Sequence, residues 1–257
     1  MPSAAEIRIL NSLADLSQAA AAEFATLTVE AVRSKGRFFV ALCGGSTPRG
    51  LYTLLADQAQ RSLPWEKIFF FWGDERHVPP DHPDSNYRMA FEALLSKVPI
   101  PSENIFRIHA EEKDADIAAR EYEQTLAPFF HLKSGEFPRF DLMLLGMGPE
   151  GHTASLFPGT RAPREKKRLV VANWVDKLNA YRITMTLPVL NHSACVLFLV
   201  SGRDKANILR EVLDEQREGL PASMVRPTNG RLVWMVDREA ASFLPKQIRD
   251  SSRVANF

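Results

Sequence analysis

Residues 140–159 read FDLMLLGMGPEGHTASLFPG. The apolar run at 140–145 passes without a break into three glycines, a proline, Glu150 and His152. An apolar run this short, with no polar residue on alternate positions after Asp141, fits a strand buried on both faces, as in a parallel sheet covered by helices. The segment after it, 146–155, has little to pack with. Glycine lets the backbone turn tightly or approach a ligand closely, and Glu150 and His152 can both move protons. The stretch reads as a sheet strand that ends in either a decorated loop or an active site.

The same kind of run recurs along the chain, as RFFVALC (37–43), KIFFFW (67–72), NIFRIH (104–109), RLVVANW (168–174), ACVLFLV (194–200) and RLVWMV (231–236). Amphipathic stretches at 49–60, 85–97, 114–130 and 203–215 separate several of them, and the alanine-rich 14–33 segment also reads as a helix. This alternation predicts an α/β fold, a mainly parallel sheet with helices on both faces. RAPREKKR (161–168) reads as a solvated loop. With no repeat, low-complexity tract or break in composition, residues 1–257 are expected to form one domain.

Composition bounds the function. At 257 residues, with 45% apolar and 25% charged, the chain can bury a full core, which excludes disordered and fibrous classes. A formal net charge of +1 supplies no field for nucleic acid or anionic lipid, so an anionic ligand must be held by local groups. The longest clean apolar run, 194–200, is far short of the ~20 residues of a membrane span, and the N-terminus lacks a basic region followed by an apolar one. A soluble cytoplasmic protein without membrane or nucleic-acid partners is expected. Cys43 and Cys195 form no CxxC pair and read as free thiols.

Ligands of open parallel sheets bind beyond the carboxyl ends of the strands. Four such ends carry unusual chemistry: CGGSTPRG (43–50), GDERHVP (73–79), GMGPEGHTAS (146–155) and SGRDKA (201–206). The first comes after a strand and opens a helix, so Gly44, Gly45, Ser46 and Thr47 offer backbone amides and hydroxyls to a phosphate; the plain alternative is a capped strand-to-helix turn. It lacks the spacing of a GxxxxGK[ST] phosphate loop. GMGPEG matches GxGxxG only literally, so no nucleotide cofactor is expected. Asp74 and Arg76 stand at a ligand-facing edge, where an acid can orient or exchange a proton and a guanidinium can clamp an oxyanion. Glu75 and His77 read as ordinary surface-loop charges. His152, with Glu150 nearby and Asp74 expected to join them, reads as a general base or acid. No HExxH motif or His/Cys cluster has zinc spacing, so no metal is expected. Cys43 reads as a small thiol finishing a buried strand rather than a nucleophile. Arg182 and Lys205 are either solvent-facing charges or, if Gly44–Thr47 hold phosphate, its partner cations.

Taken together, these motifs make the chain resemble the 6-phosphogluconolactonases, hydrolases of the pentose phosphate pathway. CGGSTPRGLY, WGDERHVPPDHPDSNYRMA, LLGMGPEGHTASLFPG, RITMTLP and SGRDKA occur in family order over nearly the full length. GGSTP is shared with the related glucosamine-6-phosphate deaminases. The chain departs from the family at Glu150, where Asp is usual, and at Cys43, where Ser is usual. The resemblance implies a Rossmann-like α/β sandwich, a 6-phosphosugar lactone as substrate, and metal-free hydrolysis to 6-phosphogluconate. In that reading His152 takes a proton from the attacking water and returns it to the ring oxygen. Asp74 and Glu150 orient its imidazole, Arg76 faces the oxyanion or a sugar oxygen, and Gly44, Gly45, Ser46, Thr47, Arg182 and Lys205 hold the phosphate. Two rivals remain: a glucosamine-6-phosphate deaminase/isomerase with Asp74 as base, and a non-catalytic sugar-phosphate sensor. The sensor is disfavoured because no segment reads as a DNA-binding helical module.

Overall fold

The computed structural model describes residues 5–58 and 63–251. Its strands are β1 (Glu6–Leu10), β2 (Phe38–Leu42), β3 (Ile68–Trp72), β4 (Asp74–Arg76), β5 (Leu142–Leu145), β6 (Val170–Val175), β7 (Ala180–Met185), β8 (Cys195–Val200) and β9 (Arg231–Asp237). The helices that matter here are α1 (Leu13–Lys35), α2 (Ser46–Gln58), α3 (Asn86–Ala93), α4 (Ala115–Phe129), α5 (Leu187–His192) and α6 (Ala206–Leu213).

Six strands form one sheet in the order β1-β9-β8-β5-β2-β3, and each adjacent pair is parallel. Every residue of β2, β5 and β8 is buried, so helices cover both faces of the sheet centre. That double cover is why these strands read as unbroken apolar runs. At the edge, β1 stays half-buried and its sequence EIRIL alternates. The alanine-rich helix α1 begins where Ser12 Oγ accepts from the Asp15 amide at 3.2 Å and stops at Gly36, whose φ of 77° a side chain would resist. Alanines 19, 20, 21 and 31 face the core, letting this long helix lie close to its neighbours.

The order of the strands creates the place for a ligand. From β2 the chain steps outward to β3, then returns to lay β5 on the other side of β2. The loops after β2 and β5 therefore diverge from adjacent strand ends, the switch point at which open parallel sheets hold ligands.

A second, antiparallel sheet, β4-β7-β6, walls this end. Only Gly73 separates β3 from β4, so the end of the main sheet runs directly into it. Register pairs Asp74 with Thr184 and sets Arg182 opposite both Arg76 and Asn173. RLVVANW thus forms a strand, but in this small sheet rather than the parallel one. NIFRIH does not form a strand. It makes a single bridge, Ile105 to Phe70, preceded by a short turn at Ser102–Asn104, because β3 is already the sheet edge and the segment turns away after one contact. Strands β1, β4 and β7 lie outside the apolar runs read from sequence. RAPREKKR is not wholly free either: Arg168 pairs with Glu123 on α4 at 2.8 Å, and a short turn spans Ala162–Arg164.

Candidate active site

A cleft of about 380 Å³ opens at the switch point. Its walls come from the loop after β2, from β4 and β7, from the glycine-rich loop after β5, and from the turn after β8. All ten residues singled out from sequence line it: Gly44, Gly45, Ser46, Thr47, Asp74, Arg76, Glu150, His152, Arg182 and Lys205.

The β5 loop is built around the imidazole of His152. Thr153 Oγ1 donates to the Gly146 carbonyl at 2.9 Å, and the Gly148 amide donates to the His152 carbonyl at 2.9 Å, so the loop curls back on itself. A Cβ at Gly148 would stand 2.0 Å from His152 Cε1. Glycine here is a requirement of the ring's position. The next residue but one past the histidine, Ala154, holds a φ of 45°, a strained conformation of the kind that collects at functional sites.

His152 Nδ1 lies 2.9 Å from Glu150 Oε2, and its ring stacks on Phe157 with centroids 4.1 Å apart. Glu150 also pairs with Lys177, whose ammonium lies 5.2 Å from the Phe157 ring. Burial pulls the imidazole down to about 4; the Asp74 carboxylate opposes this, while Lys205, Arg182 and Arg76 act in the same direction as burial. The ring is neutral at pH 7.

Asp74 is buried and does not touch the imidazole ring. Its Oδ2 accepts from Ser155 Oγ at 2.6 Å, and its backbone carbonyl accepts from Asn86 Nδ2 at 3.0 Å. Arg76 is steadied by donation from Nη1 to the Asp84 carbonyl. Arg182 crosses the small sheet beside it, and burial together with the Arg76 guanidinium lowers its basicity. Two guanidiniums side by side in a cleft are costly unless an anion joins them. The glycine turn is fixed from below by the Tyr52 hydroxyl, which donates to the Cys43 carbonyl at 2.8 Å. Asn86 leaves no room for a side chain at Gly44, since a Cβ there would fall 1.7 Å from its Oδ1. The Cys43 thiol is buried and pushed up to about 12 by desolvation and by Asp74, which keeps it un-ionised.

Such a cleft brings a neutral imidazole with a carboxylate partner together with four cations, Arg76, Lys177, Arg182 and Lys205, and the start of helix α2, the equipment for a proton-shuttled reaction on an anionic substrate. Residues 11–234 match the family described as glucosamine-6-phosphate isomerases/6-phosphogluconolactonase. The chain belongs to that family. A relative from Nostoc sp. named 6-phosphogluconolactonase is 44% identical over 216 residues, covering 83% of this chain and 88% of its own. The solved structure of 6-phosphogluconolactonase from Trypanosoma brucei superposes with a TM-score of 0.85 at 29% identity, covering 95% of this chain and 100% of the other. A monomeric glucosamine-6-phosphate deaminase superposes with a TM-score of 0.78 at 25% identity, over 93% of this chain and 99% of that one. Both branches of the family therefore share this architecture.

Glu75 corrects the sequence reading. It is 2% exposed, and its carboxylate accepts from the amides of Arg76, Asn86 and Tyr87 at 2.7–2.8 Å and from Ser85 Oγ at 3.2 Å. A charge inside DERHVP looks like loop decoration because nothing local shows that the start of α3 folds back over it. His77 is likewise engaged, with Nε2 2.6 Å from the Glu112 carbonyl. Sequence reasoning passes over Lys177 and gives no role to Ser155 and Ser201, which stand in the cleft wall within GMGPEGHTAS and SGRDKA. Ser155 is the last residue of a motif already in view, whereas Lys177 sits in a turn between β6 and β7 and carries no local signal.

Proposed function

We propose that this chain hydrolyses 6-phospho-D-glucono-1,5-lactone to 6-phosphogluconate, the lactone-opening step of the oxidative pentose phosphate pathway, and that it works as a single domain without metal or cofactor. The observation that carries the reading is the neutral His152 imidazole, paired with Glu150, in the same cleft as Arg76, Arg182 and Lys205. The relatives named 6-phosphogluconolactonase support it at 44% identity.

The lactone carbonyl is already electrophilic, so the reaction needs a water, a base, an oxyanion partner and an acid for the leaving oxygen. With Glu150 accepting from Nδ1–H, the lone pair of His152 lies on Nε2. As water attacks C1, Nε2 takes its proton and the carbonyl becomes a tetrahedral oxyanion facing Arg76. Collapse restores the carbonyl and breaks the bond from C1 to the ring oxygen. His152 returns its proton to that oxygen and the acid product loses its own to solvent. Glu150 holds the ring by a direct contact; Asp74, bonded to Ser155, stabilises the imidazolium by charge alone. Gly44, Gly45, Ser46, Thr47, Arg182 and Lys205 take the phosphate, and this remote binding fixes C1 at the imidazole.

Purified protein should accelerate hydrolysis of the phosphorylated lactone well above its spontaneous rate and release no ammonia from glucosamine 6-phosphate. Ammonia release without lactone hydrolysis would assign the chain to the deaminase branch, with Asp74 as base. Tight sugar-phosphate binding with neither reaction would make it a sensor.

A further inference from the structure

Asp237 ends β9 at the carboxyl edge of the sheet, next to the end of β8. It does not line the cleft. Its side chain is buried, at 4% exposure, and works as an acceptor for two separate turns. On one side it accepts from Ser201 Oγ and from the Gly202 amide, at 3.2 Å to Oδ1 and 3.1 Å to Oδ2. On the other it accepts from the Ala240 amide at 2.8 Å, the start of the short turn Ala240–Phe243.

The first of these turns delivers Lys205 to the cleft. The Lys205 amide donates back to the Gly202 carbonyl at 3.1 Å, so the turn Arg203–Lys205 is measured off from Gly202, and α6 starts at its end. Fixing Gly202 fixes Lys205. The need for a fixed turn is visible in the Lys205 ammonium itself, which lies 2.8 Å from Asp204 Oδ2, a carboxylate that is 67% exposed. A looser turn would let the lysine swing with that carboxylate out toward water. A buried carboxylate near an anion site also repels the anion, so its presence here is accounted for by geometry rather than by field.

We propose that Asp237 is a positioning residue for substrate phosphate, acting through the Ser201–Lys205 turn to hold the Lys205 ammonium at the cleft. This rests on the reading of Lys205 as a phosphate ligand. It also makes a distinction between charge and shape. Asparagine at 237 can keep one acceptor for Gly202 and Ala240 through its carbonyl and hold Ser201 by a reversed bond, its amide nitrogen donating to Ser201 Oγ, giving up only the second contact to the Gly202 amide. Alanine can make none of them.

The test compares kcat/KM for 6-phosphogluconolactone and for unphosphorylated gluconolactone in wild type, Asp237→Ala, Asp237→Asn, Lys205→Ala and the Asp237→Ala/Lys205→Ala double variant. Asp237→Ala should lower the value for the phosphorylated lactone about ten-fold or more, the size of a lost charge-assisted contact, and leave the unphosphorylated one unchanged. Asp237→Asn should restore the wild-type ratio, and Asp237→Ala should add little once Lys205 is gone. Equal losses on both substrates, or losses that add fully in the double variant, overturn the proposal. If Lys205→Ala discriminates between the substrates and Asp237→Ala does not, the role of Asp237 fails alone. If Lys205→Ala does not discriminate, the phosphate reading fails and this inference falls with it. Should Asp237→Ala not fold, Ser201→Ala carries the test, because it removes one donor from the same carboxylate. A selective but weaker loss on the phosphorylated lactone that disappears in the Ser201→Ala/Lys205→Ala double variant supports the proposal; a wild-type ratio, or a selective loss that persists without Lys205, overturns it.

Discussion

His152 is held neutral by burial and by the cations around it, with Asp74 pulling the other way. Its folded-state pKa of about 4 lies below the ordinary 6.5, so between those values the unfolded chain binds the proton that the folded chain refuses. The resulting stability is fully present above pH 6.5 and is lost as pH falls toward 4. Catalysis should track the folded value. After subtraction of spontaneous hydrolysis, kcat/KM is expected to stay level from neutral pH downward and to fall as pH passes through about 4. An inflection near 6.5 would mean that the imidazole is not held as described. His152→Ala should cost ~10²–10⁴-fold with an unchanged circular dichroism spectrum. Gly148→Ala offers a second check at this scale, because its Cβ would stand 2.0 Å from His152 Cε1 and must push the ring aside. It should depress kcat far more than it lowers Tm. A variant with normal kcat would show that the ring position is not critical.

At the scale of elements, the pair β4 and α3 shows what a linear reading can and cannot reach. Asp74 and Arg76 are legible as site residues because they stand just past an apolar run, and strand ends are where such sheets place ligands. Glu75 between them is not. Its neighbours in space, Ser85, Asn86 and Tyr87, lie ten to twelve positions on, and only the folding of α3 onto β4 makes its carboxylate the acceptor for the helix's first amides. The same limit applies to β7, whose RITM reads as a strand only once β4 and β6 flank it. Glu75→Ala should leave three amides and a hydroxyl without their acceptor. Each such loss costs about 1–3 kcal/mol, so a fall of at least about 2 kcal/mol in chemical denaturation is expected, with activity lost alongside. A stable, fully active Glu75→Ala protein would remove this carboxylate from the architecture of the site.

Over the whole molecule, the parallel sheet is readable from its centre outward. β2, β5 and β8 are buried on both faces and announce themselves as apolar runs, whereas the edge strand β1 and the strands β4 and β7 of the small antiparallel sheet do not. The strand order is what brings loops more than a hundred residues apart in the chain into one cleft. Arg182→Ala and Lys205→Ala should each weaken transition-state binding of the phosphorylated lactone by about 1.5–3 kcal/mol and leave unphosphorylated gluconolactone untouched. Equal losses on both substrates would move the anion site to Gly44–Thr47 or Arg76. The most direct measurement is a crystal structure of the protein with 6-phosphogluconate bound. The phosphate oxygens are expected within about 2.7–3.2 Å of the Arg182 guanidinium and the Lys205 ammonium, with the C1 carboxylate at His152 Nε2. A product bound the other way round, with its phosphate at His152 and C1 among the cations, would contradict the account.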